Sequence, residues 1–209
     1  MAQRILCFGD SNTFGTPPME AHGGHARFGP DTRWPRVMAE AMGGVELIEE
    51  GLPGRTTCHD DPVMGAFMNA EPALRIALRS HAPLDRLLIM LGTNDLKARF
   101  APSARKIAAG LAGLLDIAAS ALEAPRSPGL KITLIAPPAP IEAGLFAAEF
   151  AGAARIRPEL APALRTLAAS RGLDFFDAGS QISVSPVDGI HIAASDHIAL
   201  GRALAAHLG

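Results

Sequence analysis

The sequence predicts a three-layer α/β/α sandwich built on a five-stranded parallel sheet. Three observations carry that expectation. Short apolar runs alternate with amphipathic helical segments along the whole chain. The run at residues 84–91 is fully apolar after Arg86, as a central strand buried on both faces must be. Polar, chemistry-bearing residues follow directly after several strands, where open parallel sheets bind their ligands. Right-handed crossovers between parallel strands then place helices on both faces.

Each element follows in order. Residues 4–9 are an apolar run ending in Gly9, which empties into Asp10-Ser11-Asn12. Asp31 and Thr32 stand as a cap before Trp34, Val37, Met38, Ala41 and Met42, whose spacing of three and four marks a helix closed by Gly43-Gly44. Residues 45–49 read as the second strand and 69–81 as a helix. Residues 84–91 read as the third strand and 103–123 as a long helix. Residues 131–136 form a fourth strand stopped by Pro137-Pro138, 158–171 a helix, 173–176 a fifth strand and 194–208 the closing helix. The connections 14–31, 57–68 and 137–152 are longer than the fold requires, so each is either functional or surface decoration.

A chain of 209 residues fits one domain, 1–209, with enough core to need neither metal nor disulfide. With 19 Lys plus Arg against 21 Asp plus Glu, no basic excess is available to neutralise a phosphate backbone, so nucleic acid is not an expected partner. Cys7 in a strand and Cys58 in a loop give no disulfide framework or metal spacing. The opening residues run into a short strand rather than a signal-peptide apolar region, and no apolar stretch is long enough to span a bilayer. A cytoplasmic protein without membrane contact is expected. A 48% apolar content and positive mean hydropathy of +0.20 point to burial between subunits, hence a homo-oligomer.

Four segments bear on chemistry. Ser11 follows a buried strand, where a tight turn presents its hydroxyl at the sheet edge, although the same tripeptide also makes an ordinary capped turn. In Asp188-Gly189-Ile190-His191 the carboxylate is close enough to accept the ring's Nδ1–H and leave Nε2 free for a proton; a surface pair is the alternative. Gly54 can offer an unobstructed backbone N–H to an oxyanion, or simply be a turn glycine. Asn94 follows the central strand and can send its amide into the crevice, steadied by Thr93 and Asp95, or cap the next segment. Each alone is explained by turns and caps; all four fall on one edge of one sheet.

The remaining histidines compete less well. His197 adjoins Asp196 on a helix and points elsewhere, and His81 and His207 sit at helix C-termini. His22 and His25 lack a third metal ligand nearby, which leaves His59, beside Asp60 and Asp61, as second-choice base.

These segments resemble the SGNH (GDSL-type) hydrolase superfamily. Gly9-Asp10-Ser11 resembles its first block, Gly54 its second, Gly92-Thr93-Asn94-Asp95 its third and Asp188-Gly189-Ile190-His191 its last, in order across nearly the whole chain. Residues 4–11, Glu49-Glu50-Gly51-Leu52, Arg55-Thr56-Thr57 and residues 90–95 are similar to the bacterial arylesterase and acyltransferase branch. The resemblance implies a flavodoxin-like sheet topology and a triad of Ser11, His191 and Asp188. It implies oxyanion donors from the Ser11 and Gly54 backbones and the Asn94 side chain, with no metal or organic cofactor. It further implies small ester substrates, an alcohol, water or peroxide acceptor, and a homo-oligomer, octameric in some members. The first block departs from the pattern at Asn12, where leucine often stands, and the 14–31 loop carries no diagnostic motif.

Two rivals share the sheet. A carbohydrate O-acetyl esterase would use the same triad. A flavodoxin-like mononucleotide-binding module would cradle a phosphate with residues 11–16, but leaves Asn94 and His191 unexplained and has no Tyr and a single Trp to stack on a flavin.

Overall fold

The structure, a computed structural model, describes residues 2–120 and 122–209. Strands β1 (Gln3–Gly9), β2 (Val45–Gly51), β3 (Arg86–Met90), β4 (Lys131–Ala136) and β5 (Asp174–Asp177) form one sheet in the order β2-β1-β3-β4-β5. Every pairing is parallel, and the order is that of flavodoxin-like sheets. Helices α1 (Ser11–Phe14), α2 (Trp34–Met42), α3 (Ala70–Ser80), α4 (Ala104–Ala118), α5 (Ala153–Ser170) and α6 (Ala194–Leu208) complete it.

The three layers follow from side-chain alternation along the strands. Leu6, Phe8, Leu87, Ile89 and Leu134 pack with α3, α4 and α5 on one face. Ile5, Cys7, Leu88, Met90 and Ile135 pack with Trp34, Met38, Leu200 and Leu204 of α2 and α6 on the other. A strand whose odd and even residues are both apolar can satisfy both layers, which is why β1 and β3 are central. Register sets the site: Gly9 lies opposite Gly51 and Met90, so β1, β2 and β3 end level and release their loops at one edge.

Strand ends fall within two residues of expectation, and three helices differ from it for a physical reason. Asp31 and Thr32 do not cap α2; its N-cap is Arg33, and Pro35 in the first turn needs no cap for its missing N–H. Helix α4 stops at Ala118 rather than 123. Pro125 and Pro128 cannot extend its ladder, and Glu123 turns inward to pair with Arg79 at 2.8 Å; the predicted extension also includes Ala121, which lies outside the described residues. Helix α5 begins at Ala153, not Pro158, and carries Pro158 and Pro162 within it. Ala153, Leu160, Leu164 and Ala168 bury one stripe, and that packing outweighs the lost backbone bonds. Among the described residues no helix is long and apolar enough to cross a membrane.

Candidate active site

The turn at the end of β1 is built by contact. A Cβ on Gly9 would sit 2.1 Å from Thr13 Oγ1 and 2.7 Å from the Met90 carbonyl, so only glycine lets α1 fold back against the strand ends. Asp10 caps that short helix by accepting the Asn12 N–H at 2.9 Å, and Ser11 begins it. The next strand ends in Leu52-Pro53-Gly54, where Gly54 adopts φ +93°, a left-handed conformation that favours glycine. From β3 the chain runs through Gly92 and Thr93 into a 3-10 turn at Asn94–Leu96.

Ser11, Gly54, Asn94 and His191 line one cavity of about 540 Å³. All three long connections wall it: Thr16, Met19 and His22 from the first, Met64 from the second, Phe146 and Phe150 from the third. Ser11 and His191 are not joined by a hydrogen bond among the described residues, as is common in resting sites whose bonds tighten on substrate binding.

His191 is held on one side by Asp188. Its Nδ1 lies 2.6 Å from Asp188 Oδ2, and because a carboxylate only accepts, Nδ1 carries the hydrogen and Nε2 is left with its lone pair. Asp188 is fully enclosed and accepts three more bonds, from the N–H groups of Ile190 (3.1 Å), His191 (3.0 Å) and Met19 (2.7 Å). Burial works against its charge, but the His191 ring and backbone and the Met19 N–H outweigh it and hold the carboxyl below its usual range.

Asn94 is buried, and its Nδ2 has no hydrogen-bond partner among the described residues. An unmade buried donor on a cavity wall is costly unless an acceptor enters the cavity. Asp95 fixes the loop as expected, accepting the Thr57 N–H at 3.0 Å and its hydroxyl. Thr93 does not share that role: its Oγ1 is buried without a partner among the described residues. Burial pushes the Asp10 carboxyl up to about 6, against the Asn12 N–H and the charges of His191 and Arg55.

The other histidines fall into place. His59 stacks on Phe100 and lies 3.8 Å from Asp95, away from the cavity wall. His81 meets Glu50 and His207 meets Asp174 rather than the ends of their own helices. His22 and His25 line the cavity, and no group of three or more His, Cys, Asp or Glu that could hold a metal exists among the described residues.

One contributor escapes sequence reading. Asn12 does not line the cavity; its Nδ2 donates to the Ile190 carbonyl at 3.0 Å and its Oδ1 accepts the Ile192 N–H at 3.1 Å. Its own carbonyl accepts Trp34 Nε1–H at 3.0 Å, which gives the buried Trp34 a polar role beside its core packing. The only signal in the sequence was the departure from leucine at that position.

Comparison with known proteins gives a consistent set of relatives. A family model, the GDSL-like lipase/acylhydrolase family, matches residues 7–203. A carbohydrate acetylesterase from Sinorhizobium meliloti is 37% identical with a TM-score of 0.93, covering 99% of this chain and 98% of that one. The native M. smegmatis aryl esterase is 42% identical with a TM-score of 0.91, at the same coverage. A further carbohydrate acetylesterase family member from S. meliloti is 34% identical with a TM-score of 0.89, covering 99% and 97%. A comparison with curated proteins returned no match.

Proposed function

Since this chain belongs to the GDSL-like lipase/acylhydrolase family, we propose that it is a serine ester hydrolase with Ser11 as nucleophile, His191 as general base and Asp188 as the carboxylate behind it. The observation that carries this reading is the single cavity wall shared by Ser11, Gly54, Asn94 and His191, with the imidazole locked on Asp188.

The chemistry follows from that arrangement. Ser11 Oγ attacks the ester carbonyl as His191 Nε2 takes its proton, and Asp188 stabilises the imidazolium. The carbonyl π electrons move to oxygen, and the Ser11 and Gly54 N–H groups with Asn94 Nδ2 receive that oxyanion. Collapse expels the alcohol, which leaves with the proton from His191, and acyl-Ser11 remains. Water then attacks the acyl group, its proton passing to His191 and on to Ser11. Another alcohol or a peroxide substitutes for water without any change in proton traffic. Phe14, Leu52, Phe146, Phe150 and Ile190 give the cavity a dry wall that favours such transfer. No cofactor is needed for any step.

A homo-oligomer, octameric if it follows what the family resemblance implies, is part of the proposal. Val63, Phe67, Ile76 and Leu122 expose large apolar side chains that a neighbouring subunit would cover. Sedimentation equilibrium checks it, and a monomer would end it.

Labelling with a fluorophosphonate followed by peptide mapping tests the central claim. One adduct at Ser11, and loss of the p-nitrophenol burst in Ser11→Ala, are expected; an adduct elsewhere or a retained burst removes Ser11 from the role. The likeness to carbohydrate acetylesterases favours a second substrate class, O-acetyl sugars. Relative kcat/KM on p-nitrophenyl acetate and acetylated xylan separates the two.

A further inference from the structure

The cavity wall includes a cation whose hydrogen bonds are almost all unmade. Lys97 follows the Asn94–Leu96 turn, with its N–H on the Asn94 carbonyl, and is 4% exposed. Its ammonium has three N–H donors. Among the described residues the one acceptor within hydrogen-bonding distance is a thioether, Met64 Sδ at 3.3 Å; the nearest carboxylate oxygen, Asp61 Oδ2, stands at 3.8 Å.

The carboxylates nearby are already committed. Asp61 Oδ1 accepts the N–H groups of Val63 and Met64, and its Oδ2 accepts from Arg99 at 2.8 Å. Arg99 also donates to Glu149 at 3.1 Å. Arg99 is thus matched by two carboxylates, while Lys97 has an ion pair with Asp61 that is too long for a hydrogen bond and, within bonding distance, only sulfur, a weak acceptor. Burial, with Arg99 beside it, pushes the Lys97 pKa down, and Asp61, Glu149 and Asp10 oppose that shift.

Met64 links this ammonium to the oxyanion site. Its Cε and Sδ lie 2.4 and 2.9 Å from where a Cβ on Gly54 would stand, so the side chain reaches from Gly54 to Lys97. Methionine is unbranched, and its loop position is 37% exposed, so it can turn aside at little cost.

We propose that Lys97 is a substrate-recognition residue that binds a carboxylate carried by the ester, with Met64 occupying that place in the resting protein. The proposal rests on the ester-hydrolase reading above and names its substrate class. A carboxylate is favoured over a sugar hydroxyl because both partners are then ionised, and a buried ammonium gains most from an opposite charge.

Two matched pairs of esters test it: 4-acetoxybenzoate against its methyl ester, and mono-4-nitrophenyl adipate against 4-nitrophenyl hexanoate. They put the carboxylate on the alcohol side and on the acyl side in turn. In at least one pair, the anionic-to-neutral ratio of kcat/KM should fall by roughly 10–100-fold in Lys97→Met and be largely restored in Lys97→Arg. Lys97→Gln keeps a polar end and repeats the test should the methionine variant lose its fold by thermal melting. Ratios unchanged in both pairs in a folded variant overturn the proposal. So does a loss confined to acetylated xylan, which would assign Lys97 to hydroxyl recognition. Wild-type protein inactive on all four esters, or equally active after Ser11→Ala, overturns the ester-hydrolase reading and this proposal with it.

Discussion

Asn12 grips the backbone on both sides of His191, through Ile190 at 3.0 Å and Ile192 at 3.1 Å, across a sequence separation of about 180 residues. The residue after the candidate nucleophile therefore holds the candidate base in place. Asp188 fixes the ring's rotation and tautomer, and Asn12 fixes where the ring's backbone stands.

Asn12→Leu should lower kcat by roughly 10–100-fold with a smaller change in KM, because a displaced base is penalised in the transition state more than in binding. It also orphans a buried carbonyl and a buried N–H, each costing about 1–3 kcal/mol. Steady-state kinetics with thermal melts check both. An unchanged kcat in a folded variant would mean that Asp188 alone positions the ring.

Asn94→Ala should lower kcat by roughly 10²–10³-fold while hardly moving the melting temperature. Those two outcomes go together because Asn94 Nδ2 bonds nothing among the described residues, so its removal orphans no partner there. A loss below about threefold would assign the oxyanion to other donors.

The sheet and the four site segments were legible because each rests on a local rule. Unbroken apolar runs at 5–8 and 87–90 dictate strands buried on both faces, and polar residues after them fall at one edge. The start of α2 misled because Asp31-Thr32 is a valid cap pattern that Pro35 made unnecessary. Pro158 misled in α5 because a proline marks a helix start only where tertiary burial does not extend the helix past it. The roles of Asn12 and Lys97 were not legible, although the departure from leucine at position 12 stood out. One depends on a loop more than 170 residues away, and the other on which carboxylates Arg99 has already taken.

Two buried groups should contribute to the pH dependence of stability near pH 5 with opposite sign. His197 accepts the Trp34 N–H on Nδ1 at 3.4 Å and is fully enclosed; burial first, then the charges of His191 and Arg33, lower its pKa from 6.5 to about 4. The unfolded chain thus takes up this proton below pH 6.5 while the folded one resists until about 4. His197 therefore contributes stability that is full above 6.5 and is lost as pH falls to 4, on the order of 3 kcal/mol. Asp10 runs the other way: burial raises its carboxyl from 3.8 to about 6, so the folded state gains the proton first and stability rises as pH falls from 6. The two act against each other over this range in the intact protein. Replacing His197 by asparagine, whose Oδ1 stands where Nδ1 stood and can still accept from Trp34, should remove the first contribution and leave the second. Denaturant melts of both proteins from pH 4 to 7 should then show the variant gaining stability relative to wild type as pH falls. A difference between them that does not change with pH would mean that His197 is not held neutral by the fold.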